Sequence, residues 1–307
     1  MSILKRRTAS VRIYGITDFD SDGVDELAIY TFTFPECFFE FNISQIESDS
    51  PNSCYLKIYG VSRDTYKIFE EAKFKKYNKE QICEIYYGYD RDEEVVYRGT
   101  ISRVSYRFNF GEQYIEFILD QNMKKFHTQR HSLCIQRQST VYEAINIVCK
   151  EFGYKFECIN RDELSSITLA PVTIEGNFRQ CIECLLNKNS SFYIDNATLI
   201  TFGKTNKIIE NADKTAKRIY TLTVDNGLKA YPLMDTGKTD DVDTYKIVNK
   251  LLPGISPGDI IKIPISDDGL FSPIDTGKYE EYIVQEFVSK FSSSQDSTEM
   301  ECVKKNG

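Results

Sequence analysis

The sequence predicts an α+β fold that is mainly β, with two barrel-like β domains on either side of a small α/β domain. Three observations carry this. Tyr and Phe occur 20 times each and Trp is absent, so the aromatic share favours sheets. Period-two alternation dominates the two ends of the chain, while helical periodicity is concentrated in the middle. Glycine and proline turns punctuate the β-rich ends. A chain of 307 residues has room for roughly two to three domains. The expected boundaries are 1–125 for a first barrel with one helix, 126–215 for the α/β domain and 216–307 for a second barrel.

In the first region Val11, Ile13 and Leu27–Phe34 fit strands. Phe39, Phe41 and Ile43 alternate with polar Glu40 and Asn42. Tyr55, Lys57 and Tyr59 alternate against Leu56, Ile58 and Gly60. A short helix is expected over Asp64–Lys75. Two long strands, Val95–Phe108 and Gln113–Asp120, meet at a glycine-containing turn, Asn109–Glu112.

The middle region changes period. Thr140 and Glu143 have capping-box spacing. The apolar stripe Val141, Ala144, Ile145, Val148, Cys149 and Phe152 follows, and Gly153 is a fitting stop. Asn177 and Gln180 open a second such helix, whose stripe is Phe178, Cys181, Ile182, Leu185 and Leu186. Ser191–Phe202 reads as a hairpin across Asp195 and Asn196. Lys204–Lys217 is polar and reads as a linker. The last region returns to strands, with Pro253-Gly254 and Pro257-Gly258 as turns and Met300 and Cys302 on one face of a final strand.

Net charge is −8, which disfavours adhesion to nucleic acid and suits a surface that DNA passes without sticking. Nine cysteines lack the spacing of a disulfide framework, so the chain reads as folded in a reducing cytoplasm. No apolar stretch follows "MSILKRRTAS" as a signal peptide would need, and no apolar run approaches the ~20 residues of a membrane span.

Candidate chemistry is sparse. Asp18, Asp20, Asp22 and Gly23 match the first half of a Ca²⁺ loop. Ile29 stands where the loop needs a glutamate, and strands flank it, so the sequence favours an acidic hairpin tip; Asp25 or Glu26 would have to complete any site. Cys181 and Cys184 have zinc-like spacing, with His127, His131 and Cys134 as the other ligand types to hand. Both cysteines fall within a predicted helix, which favours core packing. Two histidines in the chain leave little for a hydrolase triad, and there is no G-x-S-x-G motif or phosphate loop. Glu70/Glu71, Asp92/Glu93/Glu94 and Asp240/Asp241 read as solvated faces rather than a glycosidase pair. Lys5, Arg6 and Arg7 offer a basic cluster to DNA or an acidic partner, but three charges give only modest, salt-sensitive binding, and a solvated arm is the favoured reading. No catalytic residue, cofactor or metal is therefore expected.

Several segments together resemble phage tail hub proteins. Pro51–Phe69, "PNSCYLKIYGVSRDTYKIF", is similar to the family's strand–helix motif N-x-A-x-I-x-I-Y-N-L-S, with Cys54 in place of Ala and Gly60 in place of Asn. Tyr86–Tyr106 resembles the following piece, in which a Gly-Tyr strand end leads to F-x-G-x-I. Leu251–Ile263, "LLPGISPGDIIKI", resembles L-x-P-x-I-x-P-G-D-x-V of the last domain, and Ser139–Phe156 resembles the middle domain's first helix.

The family includes baseplate hubs of contractile phages and phage-tail-like bacteriocins. The late control protein D group and the base of type VI secretion spikes are similar. The resemblance implies a homotrimer in which each chain gives two tube-like β-barrel domains. The resulting pseudo-sixfold ring would join a hexameric tail tube to a trimeric spike, among other baseplate proteins. DNA or a tape-measure protein would pass through its acidic channel unbound. Subunits would meet through strand edges and apolar patches. The implied location is the virion baseplate or a tail-like particle, assembled in the bacterial cytoplasm, without membrane insertion by this chain. Alternatives are a type VI spike base, a non-contractile tail tip or, in another class, a tail-associated peptidoglycan hydrolase.

Overall fold

The computed structural model describes residues 7–17, 26–45, 53–70, 81–90, 92–109, 111–121, 128–136, 138–186, 190–195, 198–203, 218–235 and 243–305. The first region holds β1 (Arg7–Thr17), β2 (Glu26–Phe34), β3 (Phe39–Gln45), β4 (Ser53–Tyr59), the helix α1 (Arg63–Ile68), β5 (Ile82–Tyr89), β6 (Asp92–Asn109) and β7 (Glu112–Asp120). The middle holds β8 (Arg130–Ile135), α2 (Val141–Phe152), β9 (Lys155–Cys158), α3 (Arg161–Ser166), β10 (Val172–Asn177), α4 (Phe178–Leu186), β11 (Ser190–Asp195) and β12 (Thr198–Gly203). The last region holds β13 (Ile219–Thr221), β14 (Leu228–Asp235), β15 (Thr244–Asn249), β16 (Ile260–Pro264), β17 (Tyr279–Phe291) and β18 (Asp296–Lys304).

The molecule is mostly β, as expected, but two closed barrels are not what the described strands form. They make one 13-stranded sheet in the order β14-β15-β18-β17-β3-β4-β7-β6-β5-β1-β2, with β16 on β17 and β13 on β16. All its pairings are antiparallel except β13–β16. The cause of the merger is β17. Its first half, Tyr279–Ile283, pairs with β16, and its second half, Phe287–Phe291, pairs with β3. One 13-residue strand thereby serves both ends of the chain. Local periodicity carries no information about a pairing such as Phe41 with Phe291, so the junction was not foreseeable from pattern alone.

The sheet is nevertheless strongly curled. Phe34 lies in β2, the far end of the strand order, yet its ring is 5.5 Å from Phe291 of β17. Tyr87 of β5 is 5.7 Å from the same ring. Alternation decides which face turns inward. Phe39, Phe41 and Ile43 of β3, Leu56 and Ile58 of β4, and Ile115, Phe117 and Leu119 of β7 are buried in the first core. Glu40, Lys57 and Glu116 point outward from the same strands. The helix α1 is capped by Ser62, which accepts from the Thr65 N–H at 3.1 Å. It is shorter than the expected Asp64–Lys75, and residues 71–80 lie outside the described residues. After it, Phe69 packs edge-on to Tyr30 and Phe117 inside the curl.

The middle region builds its own core. The expected stripes of α2 and α4 are buried against each other. Thr140 and Glu143 form the capping box, with N–H to oxygen distances of 3.2 and 2.9 Å. Gly153 ends α2 at φ 75°, in the left-handed region where glycine carries no Cβ penalty. Asn177 and Gln180 bond reciprocally at the start of α4, at 2.9 and 3.0 Å. Two small sheets flank the helices, one of β10 and β8, the other of β11, β12 and β9. A separate cluster of Tyr193, Ile200, Ile260, Ile283 and Val303 packs this region on the last one. The expected linker, Lys204–Lys217, lies outside the described residues.

Candidate assembly surfaces

Among the described residues, those singled out for chemistry do not gather into one site. Asp18, Asp20, Asp22, Gly23 and Asp25 lie outside the described residues, as do His127, Glu71, Asp240, Asp241, Lys5 and Arg6. Ile29, at the position where a Ca²⁺ loop needs its glutamate, sits on β2 and is exposed. Cys181 is fully buried in the α4 stripe, and burial pushes its thiol pKa up, away from the thiolate a metal site needs. Cys184 is exposed on the same helix, and Cys134 is exposed on β8. His131 puts Nδ1 3.3 Å from Glu151 Oε1 and its ring against Phe152. Among the described residues no group of three or more His, Cys, Asp or Glu gathers to hold a metal. Nor is any described helix long and apolar enough to cross a membrane.

The expected solvated charges are partly structural. Glu93 accepts from Ser10 Oγ at 2.7 Å, and Glu94 pairs with Arg218 at 2.9 Å. Arg7 is not a free arm: it opens β1 and donates to the Ser293 carbonyl at 2.9 Å. Arg218 also crowds the Pro253-Gly254 turn. Gly254 adopts φ 68°, and a Cβ there would come within 2.1 Å of the guanidinium. The turn needs glycine for its left-handed conformation, whereas the guanidinium is the far end of a half-exposed side chain with room to swing aside.

The outward face of the curled sheet is a ladder of ion pairs. Glu40–Lys57, Glu84–Arg98 and Glu281–Lys262 face each other directly across adjacent strands, at 2.8, 3.3 and 2.8 Å. Glu299 binds Lys246 and Lys290, both at 3.0 Å. Opposite charges in register stabilise a sheet, and these also tie its surface charge into local pairs. The bond from Lys57 to Glu40 holds the ammonium pKa above its usual value. Burial, then the hydrogen bond to Glu40, pushes Tyr59 up to about 12.

The edges at the two ends of the strand order, β14 and β2, differ, and β13 is a third edge beside β16. β14 is bulged twice against β15 and contains Pro232, which has no N–H to offer a neighbour. β2 pairs with β1 without a register break from Ala9↔Phe34 to Thr17↔Glu26. Its other side pairs with no described strand, and Ile29 on it is 58 % exposed. A regular, unbulged edge of this kind is a template for pairing with another chain. Leu233 and Met234 on β14 add further exposed apolar surface.

No protein-family model and no curated protein matches the sequence. Solved structures do match the fold. The tail protein of Neisseria meningitidis MC58 superposes with a TM-score of 0.58 over 96% of each chain, at 10% identity. The 43 kDa tail protein of prophage MuSo2 from Shewanella oneidensis gives 0.55, again over 96% of each chain, at 12% identity. An E. coli component of the type VI secretion system, described as structurally similar to the T4 tail proteins gp27 and gp5, gives 0.57 at 11% identity. It is matched over 88% of this chain and 74% of that one. The chain thus has the fold of phage tail proteins and of a type VI secretion component. The likeness in fold to these two tail proteins extends over 96% of the chain.

Proposed function

We propose that this chain is a structural hub subunit of a phage tail or tail-like particle, and not an enzyme. Three copies form a ring to which each contributes both of its β regions. The six β regions meet a hexameric tail tube on one side, and the threefold symmetry meets a trimeric spike on the other. A closed threefold ring needs two different surfaces on each subunit. The regular edge of β2 and the bulged, proline-bearing edge of β14 are two such surfaces. Other baseplate proteins pack around the ring, and DNA or a tape-measure protein moves through it without specific binding. The observation that carries this reading is the match to two tail proteins over 96% of both partners, which leaves little of the fold unaccounted for. The net charge of −8 supports a channel that nucleic acid does not adhere to.

Light scattering on the purified protein tests the ring: three times the mass of one chain is expected. Zymography tests the role, since clearing of peptidoglycan would replace the structural reading with a hydrolase. The E. coli match favours a second reading of the same class, the base of a type VI spike. Neighbouring genes separate these: sheath and wedge components beside this gene point to a contractile tail or secretion system, and their absence points to a non-contractile tip.

A further inference from the structure

The tip of the β17–β18 hairpin gathers elements that the strand order keeps far apart. Phe291, the last residue of β17, is 2% exposed and belongs to the first core, where the rings of Phe34, Phe39, Phe41 and Tyr87 surround it at 5.2–5.7 Å. Asp296, the first residue of β18, is 7% exposed. It accepts from the Tyr87 hydroxyl at 2.5 Å and the Tyr89 hydroxyl at 3.3 Å, both on β5. Arg7 of β1 and Lys229 of β14 each place a cation 3.8 Å from its other oxygen. Lys229 also donates to the Asp296 carbonyl, and Arg7 to that of Ser293. Ser292 and Gln295 close the turn between, with the Ser292 N–H on the Gln295 carbonyl at 2.7 Å. A buried carboxylate needs such compensation, and here all of it comes from outside the hairpin.

We propose that this tip is a conformational latch. It plugs the gap between the β1–β2–β5 end of the curled sheet and β3, and it ties that end to β14. The β3–β17 ladder is the one strand pairing between the two β regions among the described residues; its Phe287–Lys290 part is the hinge about which the curl opens when Phe291 and Asp296 withdraw. The Arg218–Glu94 pair also bridges the regions, but its side chains are about half exposed and such pairs hold little. What the latch fixes is the direction in which β2 presents its outer edge. This holds whichever particle the chain belongs to.

Hydrogen exchange on the full chain tests it, read by mass spectrometry on Asp296→Asn and on the milder Tyr87→Phe. Asp296→Asn keeps the shape but removes the charge facing Arg7 and Lys229. The expected result is exchange about tenfold faster in β1, β2 and β14, with α2 and α4 within about twofold of the parent. Tyr87→Phe, which removes one donor, should give the same pattern at about threefold. The latch is overturned if exchange in β1 and β2 is unchanged, if the rise is confined to residues 291–297, or if protection falls equally in every region of either variant.

Discussion

The first β region and the middle α/β region solve the same problem, burying a core, by opposite routes. Every member of the middle cluster lies between Ile135 and Leu199. The first core includes Leu251 and Phe291, contributed from the far end of the chain. One core is complete within its own segment, and the other is completed by residues from near the end of the chain. Their difference teaches that the first region is closed by long-range contact, so its integrity reports on the last region, while the middle region reports mainly on itself.

The sharpest way to break the comparison is Phe291→Ala. It removes a ring packed on Phe34, Phe39, Phe41 and Tyr87, and should cost about 3–5 kcal/mol in urea denaturation. The loss should appear as faster amide exchange in β1–β5 as well as in β17, although the substitution lies in the last region. A response limited to β17 and β18 would mean that the first core stands alone.

Phe178→Ala is the matched change in the middle. Its ring stacks on Tyr154 at 4.1 Å and meets Phe152 at 5.4 Å. A cost of about 3–5 kcal/mol is expected again. Here exchange should rise in α2, α4 and β9 with β3–β7 unaffected, and spread into the first region would erase the contrast.

Thr140→Ala sharpens the same point on a smaller scale. It removes one half of the capping box, and about 1 kcal/mol of stability should go with it. Circular dichroism should show the first turn of α2 fraying, and Thr140→Ser should restore it.

The smallest effect is that of pH on the ion-pair ladder. Lys262 and Lys305 hold Glu281 below its usual pKa, and Lys290 and Lys246 do the same for Glu299. A carboxylate lowered on folding stabilises the native state above its unfolded value, about 4.3, and that stability is lost as pH falls through the folded value. Melting temperature should therefore hold steady from pH 7 to about 5 and fall below that. Glu281→Gln and Glu299→Gln should flatten the fall slightly, since both groups are partly solvated.

This contrast also explains what the sequence could reveal. The capping residues Thr140, Glu143, Asn177 and Gln180, the stripes of α2 and α4 and the stop at Gly153 all act within a few residues, and each stands where the pattern puts it. Alternation likewise set the inward faces of β3, β4 and β7. The bond between Asp296 and Tyr87 carried no such signal, because the two residues are 209 positions apart in the chain. The strand in Glu281–Ser292 is legible in the sequence, but its sharing between β16 and β3 is not, so two barrels were expected where one curled sheet exists. The short helix α3 has no side-chain cap bond and buries only Leu164, which left little pattern to read. The candidate surfaces were legible in kind, as strand edges and apolar patches, but which edge is regular and which is bulged emerged only from the register of β2 and β14.

The central claim is that this fold serves as a subunit of a threefold tail hub, and electron microscopy of the purified protein at high concentration addresses it most directly. Rings with threefold symmetry, six peripheral β lobes and an open central channel are the predicted result. Particles limited to single chains or twofold dimers at every concentration would contradict it.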